Sequence, residues 1–345
     1  MKTFPLHIRS FLLVIAFASP LFSFSQVDST TIATTLYAEM YGKGNVVYCS
    51  SLELLWKEFA NYLGEEPKPE ELHLEINNLN KVVSDYTPPL EQQFWFAHVG
   101  KVDEGIVDTI SNSYQNQFGM SWQPREYGTN DLIGHSYLKK NLNFYSRLDD
   151  DFEQFLFKDS THVKCFGLEG GWANPTYKKQ LKIHDYKNED DFIFQMGCKD
   201  SLDEIYFAKI PMEGNLMETY NAVMTRVKKN DVRYIDRYDH LQIPYLKFDI
   251  TKDFEYLRNV KLTNPDYNQL AFKELSQRIS FDLNKDGVRI ESVQELLMVE
   301  FGYSEIKPFV YAFDQPFLIV IKRKDSPMPY FLFWVQNAQH MEIIE

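Results

Sequence analysis

Cysteine is scarce: Cys49, Cys165 and Cys198 are the only three in 345 residues. An odd count leaves at least one thiol outside any intrachain pair, so a dense disulfide framework is excluded. Their spacings are not those of metal ligands, and each reads as a small buried side chain. Basic residues are also in deficit, 36 Lys and Arg against 49 Asp and Glu, for a net charge of −13. Without a basic stripe, nucleic-acid binding is disfavoured. Long apolar runs are missing, since the longest, Phe11 to Leu21, falls short of the roughly 18 residues of a membrane span. Gly/Ser linkers and internal repeats are absent as well.

Catalytic signatures are lacking too. No G-x-S-x-G elbow, H-E-x-x-H pair or phosphate-binding glycine loop occurs, and the eight histidines are scattered. His135 and His184 read as hydrogen-bonded strand residues, and Gly170-Gly171-Trp172 as a turn. Asp282-Leu-Asn-Lys-Asp-Gly287 matches the first half of a calcium loop. Its twelfth position is Val293 instead of a bidentate glutamate, and its eighth is Arg289 instead of an apolar residue. No enzyme activity, cofactor or metal is expected.

What is present is ordinary globular composition, 44% hydrophobic and 25% charged, with aromatics at 15% favouring strands. Lys2, His7 and Arg9 precede the apolar stretch, and Ser23 and Ser25 follow it. Residues 1–25 therefore read as a signal peptide cleaved before Gln26, and residues 26–345 as one secreted, monomeric α+β domain. Helices are expected at Thr30–Tyr41, Leu52–Leu63 (stopped by Gly64), Glu70–Val83, Asp103–Phe118 and Asn215–Lys228. Strands are expected at Asn45–Tyr48, Gln92–Gly100, Leu132–Leu142, Val163–Leu168, Gln180–Tyr186, Asp191–Cys198, Glu204–Pro211, Leu241–Ile250, Gln277–Leu283, Pro316–Lys322 and Tyr330–Val335. Pro244 marks its strand as an edge or a strand start. The acidic run Asp149–Asp151 reads as a solvated turn.

Tyr311-Ala-Phe-Asp-Gln-Pro-Phe-Leu-Ile-Val-Ile321 resembles the C-terminal signature of the serpin family, with Phe313, Asp314, Gln315, Pro316 and Phe317 at its centre. Tyr330–Val335 resembles the family's last core strand, and Arg278–Gly287 the strand that runs into its reactive-loop hinge. Ile243–Phe248, Glu204–Pro211 and Asn45–Leu63 match further elements in the same order. The resemblance implies a serpin-like single domain with a large central β-sheet, smaller sheets and flanking helices. Helices on the front of the main sheet are shortened or missing, because only a short connection separates Phe118 from Leu132, and Val82–Gln92 leaves no room for another.

The resemblance also implies a suicide-substrate inhibitor of serine or cysteine endopeptidases, whose cleaved loop enters the main sheet as a new strand. The hinge would comprise Lys285, Gly287, Val288, Arg289, Ile290, Glu291 and Ser292, with Lys285 standing where the family usually has a glutamate. Val288, Ile290, Ser292 and Gln294 would face inward, Gln294 at a cost of about 1–3 kcal/mol if unpaired. Counting along the usual loop places the scissile bond at Phe301–Gly302, which suits an extracellular chymotrypsin-like protease. An alternative stays open. Ser292-Val-Gln-Glu295 is a capping box, and Val293, Leu296, Leu297, Glu300 and Phe301 follow at helical spacing. That pattern fits a helical loop on a non-inhibitory binding or carrier module. Where the family has a polar cluster easing strand separation, this chain has Cys49, Leu52, Leu54 and Gln277, so the polar cluster reads as largely replaced.

Overall fold

The computed structural model describes residues 30–40, 44–83, 86–150, 155–170, 176–288 and 309–344. The segment expected to be a helix from Thr30 instead forms strand β1 (Thr31–Ala33), parallel to β2 (Val46–Cys49) in the register Thr31↔Val46. Thr30, Thr31, Ile32, Thr34 and Thr35 are β-branched and weak helix formers. Beyond β1, Leu36 and Met40 are fully buried in the second core cluster, beside Leu216 and Tyr220. Helix α1 (Ser51–Leu63) forms as its spacing dictates and ends at Gly64, whose φ of 75° places it in the left-handed region.

Helix α2 (Leu74–Val83) precedes β3 (Trp95–Lys101), α3 (Ile106–Phe118) and β4 (Leu132–Leu138). The strand expected over Leu132–Leu142 is two: β4 pairs with β3, and after three residues β5 (Leu142–Asn143) joins another sheet. Residues 119–131 form no regular element. Met120, Trp122 and Tyr127 from that stretch pack with α3 on the Phe96–Ile133 face of β3 and β4. The short pair β6 (Phe155–Leu156) and β7 (His162–Val163) leads to β8 (Cys165–Leu168), so the single strand expected from Val163 is also divided.

Helix α4 (Thr176–Gln180), β9 (Leu181–Asn188), β10 (Asp191–Met196), β11 (Asp203–Lys209), α5 (Leu216–Lys229) and β12 (Arg233–Tyr234) follow. Asn215 caps α5 by accepting from the Glu218 amide at 2.8 Å. The long strand expected around Pro244 splits into β13 (His240–Pro244) and β14 (Leu246–Asp253), which lie in different sheets. Proline has no N–H to continue a ladder, so the chain changes sheet there. Then come β15 (Ser276–Asn284), β16 (Gly287–Val288), β17 (Val310–Ala312), β18 (Phe317–Arg323) and β19 (Pro329–Val335).

The largest sheet has the order β1-β2-β19-β18-β11-β10-β9-β12. Strand β19 is buried at every position, and Phe317 to Lys322 of β18 likewise, which explains why both read as unbroken apolar runs. A second sheet, β14-β15-β16-β5, carries the candidate hinge, and β17-β13-β8 forms a third. The main core lies between these layers around Phe207, Phe281, Phe313 and Phe333.

Candidate functional site

Strand β15 alternates strictly: Gln277, Ile279, Phe281 and Leu283 are buried, while Arg278 and Ser280 are exposed. At its end Lys285 and Asp286 make a two-residue turn, and β16 returns antiparallel with Asn284↔Gly287 and Leu283↔Val288. The Asn284 side chain accepts from the Asp286 amide at 3.0 Å and donates to Asp282 at 2.9 Å, which rigidifies the turn. Asp282 also faces Lys247 at 3.6 Å. These half-calcium-loop residues therefore serve the hairpin.

On its other side β16 pairs with β5, Gly287↔Asn143 and Val288↔Leu142. Gly287 has a φ of 140°, and a Cβ there would meet Leu142 O at 2.3 Å and Asn143 Cα at 2.8 Å. Only glycine fits between two backbones this close. Residue 144 donates its amide to Asp286 O at 3.0 Å and residue 148 to Lys285 O at 2.9 Å, extending the clasp. Lys285 forms an ion pair with Asp150, and Arg147 reaches Asp150 and Asp286 at 3.7 and 3.8 Å. Burial, and then the neighbouring Arg147, lower the Lys285 ammonium from its usual range. Asp149 and Asp150 are thus more than a solvated turn, for Asp149 also exchanges backbone hydrogen bonds with Gly167.

Among the described residues, strand β15 pairs with β14 along one side and on the other meets β16 at Leu283 and Asn284. Strand β4 pairs with β3 along one side only, and among the described residues no ladder joins β4 to β15. Among the described residues, these two strand edges bound a slot. Ser51, the first residue of α1, ties both edges: its carbonyl accepts from Ser136 Oγ of β4 at 2.7 Å, and its Oγ accepts from Gln277 Nε2 of β15 at 3.0 Å. Gln277 Nε2 also donates to Cys49 O at 3.1 Å. Gln277, read as part of the replaced cluster, thus still makes side-chain hydrogen bonds beside Ser51 and Ser136. Sequence reasoning missed Ser51 and Ser136; the Ser50-Ser51 pair at the start of α1 was the available signal.

The C-terminal side of the loop is anchored separately. Asp239 accepts from the Phe309 amide at 3.0 Å, and from Arg233 at 3.0 Å. The Arg233 guanidinium lies 4.1 Å from the Phe309 ring centroid. In the signature segment, Phe313 and Phe317 are fully buried. Asp314 accepts from buried Lys209 at 2.5 Å, and Lys209 also donates to Ala312 O at 3.1 Å. Gln315 and Pro316 line an open surface depression with Asn188, Asp190, Met212 and Trp334. The expected hinge residues Arg289, Ile290, Glu291 and Ser292, the expected scissile bond Phe301–Gly302 and the helical pattern expected through them lie outside the described residues, as do residues 1–25 and Gly171-Trp172.

No family model matches the sequence, and no curated protein does. Solved structures do. A thermophilic serpin, tengpin, in its native state, aligns over 86% of this chain and 90% of its own, with a TM-score of 0.54 and 11% identity. Human thyroxine-binding globulin aligns over 85% and 92% with a TM-score of 0.51 and 12% identity. At such identities the likeness is one of fold.

Proposed function

We propose that this chain, which has the serpin fold, is an extracellular inhibitor of a serine or cysteine endopeptidase that works by inserting its cleaved loop into the β15–β4 slot. The chemistry would belong to the protease; this chain would supply the bait and the receiving edges. The observation that carries the reading is β16, where the first two residues of the loop are already a strand between β15 and β5. Strand pairing continued from such a nucleus satisfies backbone groups along both edges.

Continued in the same register, the inserted strand would set Ile290 opposite Phe281, Ser292 opposite Ile279 and Gln294 opposite Gln277. Ile290 and Ser292 would then point into the apolar interior, where Phe281 and Ile279 are buried. Gln277 Oε1 is buried with no donor, so the amide of Gln294 would bring the donor it lacks. The polar residue that looks costly by itself acquires a partner. With Phe301 ahead of the scissile bond, a chymotrypsin-like serine protease is the expected target class, reached after removal of residues 1–25.

A carrier role is the second reading, since thyroxine-binding globulin, which binds thyroxine, shares the fold. One experiment separates the two. The protein is nicked once between Val293 and Glu305, and its thermal midpoint is compared with that of the intact chain. A large rise supports insertion, together with a detergent-stable complex with chymotrypsin. An unchanged midpoint sinks the inhibitor reading.

A further inference from the structure

An acidic residue in the first turn of a helix normally turns outward, toward water and the free amides. Glu53, third in α1, does the opposite and is 1% exposed. Its Oε2 accepts from Tyr48 Oη at 2.7 Å, while its Oε1 is buried and meets no donor. The titratable groups facing it are Tyr48 and Cys49 from β2 and Tyr86 from the segment before β3. Burial raises all three from their ordinary values, so they stay neutral near physiological pH. Among the described residues no Lys, Arg or His forms an ion pair with Glu53. A carboxylate here would thus have one donor and no counter-charge, whereas a neutral acid fits the dry site. Two residues away, Ser51 ties β15 and β4.

We propose that Glu53 is a proton-operated catch on the slot: as a neutral acid it lets the first turn of α1 pack dry and hold both strand edges, and on losing its proton it draws water into that turn and frees them. The proposal deepens the loop-insertion reading, but it concerns the edges themselves, whether or not a loop ever enters. Burial pushes the Glu53 carboxyl up to about 8, against a smaller lowering by the Tyr48 hydroxyl. Between the ordinary carboxylate range and that value only the folded state holds the proton. The catch is therefore fully closed at low pH and released as pH rises through it.

The test is amide hydrogen exchange across 132–138 and 276–282, corrected for intrinsic rates, from about pH 6 to about pH 9. The native protein is expected to lose protection by up to about tenfold per pH unit, and Glu53→Gln to show a flat profile. Parallel profiles in the two proteins overturn the proposal. Should Glu53→Gln not fold, infrared titration of the native protein reads the acid directly. A protonated-carboxyl band that persists at neutral pH and moves to still higher pH in Tyr48→Phe supports the catch, and absence of that band at neutral pH refutes it. Failure of the nicking experiment with pH-dependent edges intact would remove the inhibitor reading and leave the catch standing.

Discussion

Gly287 lies so close to Leu142 that a side chain on it would stand 2.3 Å from the Leu142 carbonyl oxygen. This contact fixes the start of the candidate loop as a strand, β16, held on both sides.

Gly287→Ala should consequently be disruptive. The φ of 140° is strained for any other residue, and the obstruction is backbone, which cannot swing aside. A loss of roughly 2 kcal/mol or more is expected in denaturant unfolding, with exchange protection lost at the amides of Phe144 and Leu148. Unchanged protection there would mean that β16 is not held as described.

Lys140, in the three-residue link between β4 and β5, is expected to be a strong structural anchor. Its Nζ is 2.7 Å from both Asp200 and Asp203 and 3.5 Å from the Phe94 ring centroid. Lys140→Met should cost about 3 kcal/mol, because Asp203 is left as a buried charge. Adding Asp203→Asn should recover much of that, since Tyr330 Oη, which donates to Asp203 at 2.9 Å, can still donate to the amide oxygen. Denaturation of the single and double variants checks both claims.

Acid should weaken the packing of α3 on β3 and β4. His98 and His135 face each other across this pair, hydrogen-bonded to Ser113 at 2.7 Å and Tyr114 at 2.9 Å. Burial lowers both, His135 to about 4. A histidine kept neutral by the fold contributes stability above its unfolded value near 6.5, and that contribution is lost as pH falls toward about 4. A loss of up to about 3 kcal/mol is expected over this window, and His135→Gln should flatten the thermal profile.

Thiol chemistry should be slow in the folded protein. Cys198 donates to Asp200 O at 3.0 Å, and burial pushes it and Cys165 up to about 12 and raises Cys49. Thiolate is the reactive form. Modification by a disulfide reagent at mildly alkaline pH should therefore await unfolding; rapid labelling of Cys49 or Cys198 in the native state would contradict their burial.

The sequence alone determined the order of elements, the apolar strands around Phe317 and Phe333, the α1 pattern and the glycine after β15. Each is a local regularity, a period or a special backbone position, that one stretch of chain carries by itself. Only tertiary structure decided the rest. Thr31–Ala33 became a strand because β2 offered an edge, and the chain around Pro244 divided because two sheets competed for it. Ser51 became the tie between β15 and β4, and Glu53 was turned into the core. These outcomes depend on which partner arrives across space, and hydrophobic periodicity reports a face without naming what covers it.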